Sequence, residues 1–294
     1  MSLFAQFTFN GLIAGSIYAL VASGFSLIYG TNKFMHFAHG ISVAIAGYTL
    51  YSLFSLAGIN FWFAAILTLV ASAIFGLFMY RLIYLPLQNR NASNAVLLIA
   101  SIGILILFEN LIQAIFGADV KVIDLIEVSE GLTYFGATFT PLQIIIILIS
   151  IILFFILSFL MKKTRLGRSM RAVADNKALA EIVGINYKKV AAYSFIIGSI
   201  FAGIAGILIG LEQNLSPTMG TSLIIKGFTG AVIGGISSVP ASILGSYLLG
   251  LAENYGVWFL PSGFKDAIAF GLLFIFLLLK PNGLFDLNKG VKNV

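Results

Sequence analysis

The sequence contains no cysteine and few charged residues. Its 294 residues include no Cys, and only 10% are charged. Without thiols the chain can form no disulfide, thiolate nucleophile or thiolate metal site. Soluble domains carry about a quarter charged residues, whereas here 60% of the residues are hydrophobic and the mean hydropathy is +1.04. We therefore predict an integral membrane protein.

Motifs for nucleotide binding and hydrolysis are also absent. The sequence has no Gly-x-x-x-x-Gly-Lys-Ser/Thr, no Gly-x-Ser-x-Gly and no His-Glu-x-x-His. We therefore expect no ATP site of the P-loop type, no enzyme activity and no cofactor in this chain. His36 and His39 are three residues apart but have no third ligand nearby, so we expect no metal site. The net charge of +6 does not indicate nucleic-acid binding, because the basic residues flank hydrophobic spans.

Long apolar runs predict an all-α membrane protein. A transmembrane strand would alternate apolar and polar residues, whereas residues 141–161 are apolar on every side. A spanning helix needs about 20 apolar residues, so the chain has room for eight to ten helices, some of them short or broken. We predict that residues 1–294 form a single transmembrane domain.

The distribution of charge predicts the orientation. Residues 161–189 hold eight of the seventeen Lys and Arg residues, while residues 117–140 carry Asp119, Asp124, Glu127 and Glu130. Because cytoplasmic loops are enriched in Lys and Arg, we place loops 30–39, 84–94 and 162–189 in the cytoplasm. Loops 57–60 and 117–140 are then outside. The N-terminus is outside and the C-terminus is cytoplasmic.

A short amphipathic helix is predicted inside the basic loop. Asp175 is a suitable N-cap for a helix over residues 176–183, and Gly184 can end it in the left-handed conformation. Leu179, Ile182 and Val183 then share one face. A helix of this length is unstable alone in water, so it lies on the membrane, on this chain or in a groove of another protein. The alternative is a basic loop that only fixes topology.

The apolar pattern is broken after residue 211. Two short, glycine-rich apolar stretches, 224–236 and 241–258, are separated by Ser-Ser-Val-Pro at residues 237–240. They form either two short spans or one re-entrant hairpin. Broken helices expose backbone groups that can line a transport path.

Five ionisable residues lie near or within spans: Glu109, Lys226, Glu253, Lys265 and Asp266. Charges in hydrocarbon are costly, so each is a functional candidate. We expect Glu109 to face a wet interior, and Lys265 and Asp266 to lie at the membrane interface. For Lys226 and Glu253 both interpretations stay open.

A weak internal repeat favours a transporter. GSIYALVA at residues 15–22 and GSIFAGIA at residues 198–205 share five of eight residues at an offset of 183. The predicted orientation makes the two copies inverted, as in many transporters. Chance similarity between small-residue helices is the alternative.

Several stretches together resemble one known family, the permease subunits of branched-chain amino acid ABC importers of the LivH kind. These stretches are HFAHG at residues 36–40, TRLGRSMRAVADNKALAEIVGIN in the basic loop, KGFTGAVIGGISSVPASILGSYLLGLAE at 226–253 and KDAIAFGLLFIFLLLKPNGLF at 265–285. His36 stands where the family usually has asparagine, and Gly227, Ser237 and Ala241 also depart from its pattern.

The resemblance implies a permease of the bacterial inner (plasma) membrane that works by alternating access. Its partners would be a second related permease, two cytoplasmic ATPases, a periplasmic solute-binding protein and the lipid bilayer. The short helix would be the coupling helix that docks on an ATPase, with these residues: Asp175, Asn176, Ala178, Leu179, Ala180, Ile182, Val183 and Gly184. We expect the translocation path to draw on Ser16, Tyr18, His36, His39, Gly40, Glu109, Lys226, Gly230, Gly234, Gly235, Ser238 and Glu253.

Two alternatives remain at this point. One is an ion-coupled secondary transporter that uses Glu109 or Glu253 as proton carrier. The other is the same ABC machine with another cargo, such as urea or short amides. The sequence shows no dense polar pocket, so we expect the binding protein to set selectivity.

Overall fold

The computed structural model describes residues 2–125, 131–134 and 137–285 of the chain. Glu127 and Glu130, which contributed to the predicted orientation, lie outside the described residues. The helices of this part are α1 Ser2–Asn32, α2 His39–Leu50 with a π-helical end Tyr51–Leu56, α3 Phe61–Met79 with a π-helical end Tyr80–Tyr84, α4 Leu85–Asn89, α5 Asn94–Phe116, α6 Pro141–Lys163, α7 Arg165–Asp175, α8 Lys177–Ile182, α9 Tyr187–Glu212, α10 Met219–Gly234, α11 Val239–Gly256 and α12 Lys265–Leu279. A small antiparallel hairpin pairs β1 Leu132–Tyr134 with β2 Ala137–Phe139.

The number of membrane spans is smaller than length alone suggested. Within the described residues six helices are long and apolar enough to cross a membrane, and α10 with α11 makes a possible seventh. The predicted eight to ten assumed about 20 residues per span, whereas α1 has 31 residues and the continuous stretch Phe61–Asn89 has 29. The predicted break is present, because α10 and α11 meet at an angle of 113°.

Of the long helices that could span a membrane, α1 and α9 are the most buried, and the shorter α2 and α10 are buried to a similar extent. The rest of the chain buries 89% of the most apolar window of α1 and 72% of that of α9, compared with 17% for α6 and 6% for the α12 span. α6 and α12 therefore present most of their surface to lipid or to another protein.

Small residues bring the backbones of the central helices together. A Cβ atom at Gly24 of α1 would lie 2.8 Å from the carbonyl oxygen of Gly198 in α9, and a Cβ atom at Gly250 of α11 would lie 2.6 Å from the backbone nitrogen of Gly15. Lipid gives no hydrophobic drive for helix association, so packing at this distance is a main source of stability.

The predicted repeat now has structural equivalents. Its first copy lies in α1, followed by a joint at residues 33–38 and then α2. Its second copy lies in α9, followed by a joint at residues 213–218 and then α10. The two short helices meet at their first turns, where a Cβ atom at Gly220 would lie 2.6 Å from the carbonyl oxygen of Gly40. The two joints are the same length, which supports the repeat.

The two ends of the bundle differ in charge. The basic end carries α7 and α8, with exposed Arg165, Arg168 and Arg171. At the other end, the acidic end, Asp119 and Asp124 are exposed. There the backbones of Lys121 and Leu215 exchange two hydrogen bonds, of 3.0 and 2.8 Å. The N-terminal half of α1 lies at the acidic end, because Gln6 donates to the carbonyl of Thr138 at 3.0 Å.

We predict that Gly24→Val destabilises the fold and that Gly30→Val in the same helix does not. A side chain at position 24 would collide with the backbone of α9 and the ring of His39, whereas a Cβ atom at Gly30 meets nothing within 4 Å. Overpacking of this kind costs about 1–3 kcal/mol. Thermal unfolding of the two detergent-purified variants measures the difference, and equal melting temperatures would contradict the packing described.

Candidate functional site

The first candidate site is the surface of α8 at the basic end. Leu179, Ile182 and Val183 expose 60%, 79% and 74% of their surface, while the neighbouring Ala180 is buried. The predicted apolar face therefore exists and this chain does not cover it. An exposed apolar face of this kind is a common feature of interaction sites.

Both ends of α8 are closed as in stable helices. Gly184 has a φ of +86°. Its amide donates to the carbonyl of Glu181 at 3.0 Å, and the amide of Ile185 donates to the carbonyl of Ala180 at 2.9 Å. This pair of bonds is the Schellman motif, which favours glycine. Lys177 stacks on the ring of Tyr187, with 3.5 Å from Nζ to the ring centroid.

The predicted N-cap of this helix was wrong by one residue. Asp175 is the last residue of α7, and Asn176 is the cap, with its Oδ1 accepting from the amide of Leu179 at 3.0 Å. Asp175 cannot cap because its backbone continues α7, whereas Asn176 is extended, with φ −151° and ψ 108°. The helix is accordingly Lys177–Ile182 rather than 176–183.

The second candidate site is a cavity of about 470 Å³ at the acidic end. Polar and apolar side chains share its walls: Asn10, Ile13, Ala14, Ile17, Tyr18, Gln143, Ile209, Glu212, Gln213, Asn214, Ser216, Met219, Ser222, Leu223, Lys226, Asn254 and Lys265. Its volume is in the usual range for small-molecule sites. We call it the acidic-end cavity.

A cluster of charged groups adjoins this cavity. Lys226 Nζ lies 2.9 Å from Asp266 Oδ1 and 3.7 Å from Glu253 Oε1. The same ammonium donates to the hydroxyl of Tyr18 at 3.2 Å, and that hydroxyl donates to Glu253 Oε2 at 2.8 Å. The cluster joins α1, α10, α11 and α12. Because Glu253 is fully buried, its charge depends on the ammonium of Lys226 for compensation.

Two further polar pairs line the acidic-end cavity. Lys265 Nζ donates to Asn254 Oδ1 at 3.0 Å, and Gln143 Nε2 donates to Glu212 Oε1 at 2.7 Å. The cavity therefore carries cations on α10 and α12 and a carboxylate at the end of α9.

A separate cavity of about 590 Å³ lies at the basic end. Part of its wall comes from the end of α1, at residues 26, 27 and 29–31, and from Lys162 and Arg171. Another part comes from residues 235–240 at the break between α10 and α11. Gly235 and Ser238, two of the predicted path residues, lie here. We call it the basic-end cavity.

Three aromatic rings, from α1, α10 and the joint at residues 33–38, pack against one another. The ring centroids of Phe25 and Phe228 are 5.7 Å apart, and Phe37 lies 5.2 Å from Phe228 and 6.3 Å from Phe25. Along α1, Phe25 lies between Tyr18, which lines the acidic-end cavity, and Ser26, which lines the basic-end cavity. None of the three rings lines either cavity.

Other predicted path residues serve the packing of the bundle. Ser16 bonds to the hydroxyl of Tyr247 at 3.0 Å, which ties α1 to α11. Gly230 and Gly234 face the backbone of α11 at Ser246 and Ala241. Neither glycine lines the acidic-end or the basic-end cavity.

Apart from the exposed Lys33, the joint at residues 33–38 is buried or half-buried. His36 and His39 are fully buried, and His36 Nδ1 lies 2.9 Å from the hydroxyl of Tyr84. Gly40 packs on the first turn of α10. None of the three lines either polar cavity. Within the described residues no group of three His, Cys, Asp or Glu side chains could hold a metal ion.

Glu109 does not adjoin the acidic-end cavity. It is half-buried, and its Oε2 accepts from Thr221 Oγ1 of α10 at 2.5 Å. The structure therefore separates it from Lys226 and Glu253, with which it was grouped as a path residue.

Comparison with known proteins decides the family. A family model for the branched-chain amino acid transport system, permease component, matches residues 7–278. The chain belongs to this permease family. It is 32% identical over 288 residues to the high-affinity branched-chain amino acid transport system permease BraD of Pseudomonas aeruginosa, covering 94% of this chain and 93% of that protein. The LivH permease of Escherichia coli K12 is 32% identical over 294 residues, covering 96% and 95%.

A solved structure shares the fold of this permease. It is PsaBC from Streptococcus pneumoniae in complex with Fab, with a TM-score of 0.50 and 14% identity, covering 94% of this chain and 92% of that chain. The resemblance inferred from the sequence motifs is confirmed by the family match, and the chain is a multi-pass membrane permease.

Sequence reasoning missed part of the charged cluster of this permease. We expected Asp266 at the membrane interface, and it is 65% exposed, but it also binds Lys226 directly. Glu212 and Gln143 were not considered. Their signal was weak, since each lies at the end of an apolar span where a polar residue is ordinary.

We predict that Lys226 and Glu253 depend on each other for stability. Lys226→Met leaves a buried carboxylate without its cation, which typically costs about 3–5 kcal/mol. The double variant Lys226→Met/Glu253→Gln removes both charges and should recover much of this loss. Thermal unfolding of the two single variants and the double variant forms a double-mutant cycle. Additive effects would mean that the two residues do not interact.

Proposed function

We propose that this permease carries branched-chain amino acids into the cytoplasm as the membrane-spanning subunit of an ATP-driven importer. It would pair with a second related permease, two cytoplasmic ATPases and a periplasmic binding protein in the bacterial inner membrane. The family match over residues 7–278 supports the transport role, and the relatives named for high-affinity branched-chain amino acid transport support the cargo.

The observation that carries the ATPase assignment is the uncovered face of α8. Three apolar side chains on one short, well-capped helix are more than half exposed, next to a basic surface. A partner that buries each of them would gain about 1.5–3 kcal/mol per side chain. The occupant we propose is a groove of the ATPase, since this family supplies the permease component of a multi-subunit system.

Alternating access is supported by the presence of one polar cavity at each end of the bundle, with the packed rings of Phe25, Phe37 and Phe228 outside both. In the proposed cycle, rocking of the helices would connect the substrate first with one cavity and then with the other. The charge difference between the ends supports an orientation with the basic end in the cytoplasm.

The contacts of the carboxylates favour this mechanism over a proton-coupled one. Glu253 has a cation 3.7 Å away and accepts from Tyr18 at 2.8 Å, so its charged form is compensated. Glu109 accepts from Thr221. A proton carrier must instead alternate between protonation states as it faces each side of the membrane.

We predict that transport follows ATP and not the proton gradient. Leucine uptake by cells that express the complete system should stop when ATP is depleted. It should continue with a protonophore if the ATP level is held constant. Uptake that collapses with the gradient at constant ATP would contradict the proposal.

We also predict that Leu179→Asp uncouples the permease from its ATPases. A charge at the centre of the apolar face would have to be desolvated against the partner, which costs several kcal/mol without a counter-ion. The permease itself should still insert, because Leu179 is 60% exposed and supports no span. Co-purification of the ATPases and leucine uptake measure the effect.

The matched control is Glu181→Ala, an exposed position on the other side of α8. Exposed charges contribute little, so this variant should keep its ATPases and its uptake. If Leu179→Asp also keeps both, α8 is a topology loop and does not couple the subunits.

A further inference from the structure

The acidic-end cavity combines the chemical features that an aliphatic amino acid requires. Ile13, Ile17, Ile209 and Leu223 give it an apolar wall, while Lys226 and Lys265 supply cations and Glu212 supplies a carboxylate. A zwitterionic amino acid with a branched aliphatic side chain has that side chain for the apolar wall, a carboxylate for a lysine and an ammonium group for Glu212. Small-molecule sites typically show this combination of apolar walls and a few converging polar groups.

Lys226 is the group best placed to bind a carboxylate. Its side chain is 15% exposed and lines the cavity. The hydroxyl of Tyr18 and the carboxylate of Glu253 contact the ammonium, at 3.2 and 3.7 Å. Glu253 Oε1 is buried without a hydrogen-bond partner, so the ammonium has a nearby acceptor if it loses another contact. Glu253 and Tyr18 are therefore positioning residues for Lys226.

The remaining partner of Lys226 can be replaced. Asp266 lies 2.9 Å from Nζ, but its side chain is 65% exposed. If the ammonium of Lys226 leaves Asp266 for another carboxylate, the charge of Asp266 is still hydrated by solvent. If it left Glu253 instead, a charge in the interior would lose its cation. The exchange of one carboxylate for another leaves the number of charges around Lys226 unchanged.

We propose that the acidic-end cavity is a substrate site of the permease itself, in which Lys226 exchanges Asp266 for the α-carboxylate of an aliphatic amino acid. The aliphatic side chain would lie on Ile13, Ile17 and Leu223, and Glu212 would face the ammonium group. This proposal rests on the proposed function. It adds that the membrane subunit, and not only the binding protein, recognises the cargo.

The test is equilibrium binding of radiolabelled leucine to the purified permease–ATPase complex in lipid nanodiscs without binding protein. The wild-type complex should bind leucine in competition with unlabelled leucine but not with leucinol, which lacks the carboxylate. Lys226→Met should weaken binding at least tenfold, as expected for loss of a charge-assisted hydrogen bond. Lys226→Arg, which keeps a cation able to donate to a carboxylate, should bind more tightly than Lys226→Met.

The controls separate recognition from folding. Lys163→Met removes the same charge from an exposed position at the end of α6 and should bind as wild type. The double variant Lys226→Met/Glu253→Gln has no unpaired buried carboxylate and should also lose binding. Asp266→Asn frees Lys226 and should bind at least as tightly as wild type.

Three results would overturn the site: undetectable leucine binding by the wild-type complex, competition by leucinol equal to that by leucine, or unchanged binding in the double variant. The proposed function is tested separately by uptake through the complete system with its binding protein. If the complete system takes up leucine while one of these three results is obtained, only the site is wrong. If it takes up no branched-chain amino acid, the proposed cargo is wrong.

Discussion

The close approach of α1 to α9 and α11 is the contact on which the rest of the structure depends. Lipid surrounds the bundle, so helices gain little by exchanging lipid contacts for apolar contacts with each other. The stability of their association therefore depends on close packing of their backbones. Gly15, Gly24, Gly198 and Gly250 make this proximity possible. Because α1 is buried along most of its length, it can carry Tyr18 on the wall of one cavity and Ser26 on the wall of the other. A bulkier α1 would move both walls.

The second constraint is that broken helices and charges need protection from hydrocarbon. Free amides and carbonyls at a break cannot be left facing lipid, and here residues 34–38 of the joint are buried or half-buried. At the break after α10, the amides of Leu284 and Phe285 donate to the carbonyls of Ile233 and Gly234 at 2.8 and 3.0 Å. The charges follow the same rule. Within the cluster, Lys226 faces Glu253 and Asp266, and Lys265 of the neighbouring Lys265–Asn254 pair adds a second cation. The four residues carry two charges of each sign, which reduces the cost of placing them in a medium of low dielectric constant.

Most of the fold could be predicted from the sequence, because hydropathy and charge act locally. The long spans, the basic loop, the apolar face of α8 and the break at residues 235–238 all follow from patterns within a few turns of helix. The cap of α8 was misplaced because Asp and Asn are equally good caps and only the end of α7 decides between them. The members of the charged cluster were candidates, but their assembly could not be predicted, since they lie on four helices and sequence does not give the rotation of a helix. For the same reason Glu109 was preferred over Lys226 as the residue facing a wet interior, although Glu109 contacts Thr221 and Lys226 lines a cavity.

The geometry of the basic end suggests how a contact at α8 can reach the cavities. α7 ends at Asp175 and α8 begins at Lys177, joined only by the capping residue Asn176. Asn176 is bonded to both helices, because its amide donates to the carbonyl of Ala172 and its carbonyl accepts from the amide of Ala180, each at 3.0 Å. Met170 and Arg171 of α7 line the basic-end cavity together with Ser26 of α1 and residues 235–240. A displacement of α8 by a docked partner would therefore act on both the central helix and the break that follows α10. Because α10 also carries Phe228 and Lys226, two residues apart near its middle, the same movement would reach the aromatic rings and the ammonium of the acidic-end cavity.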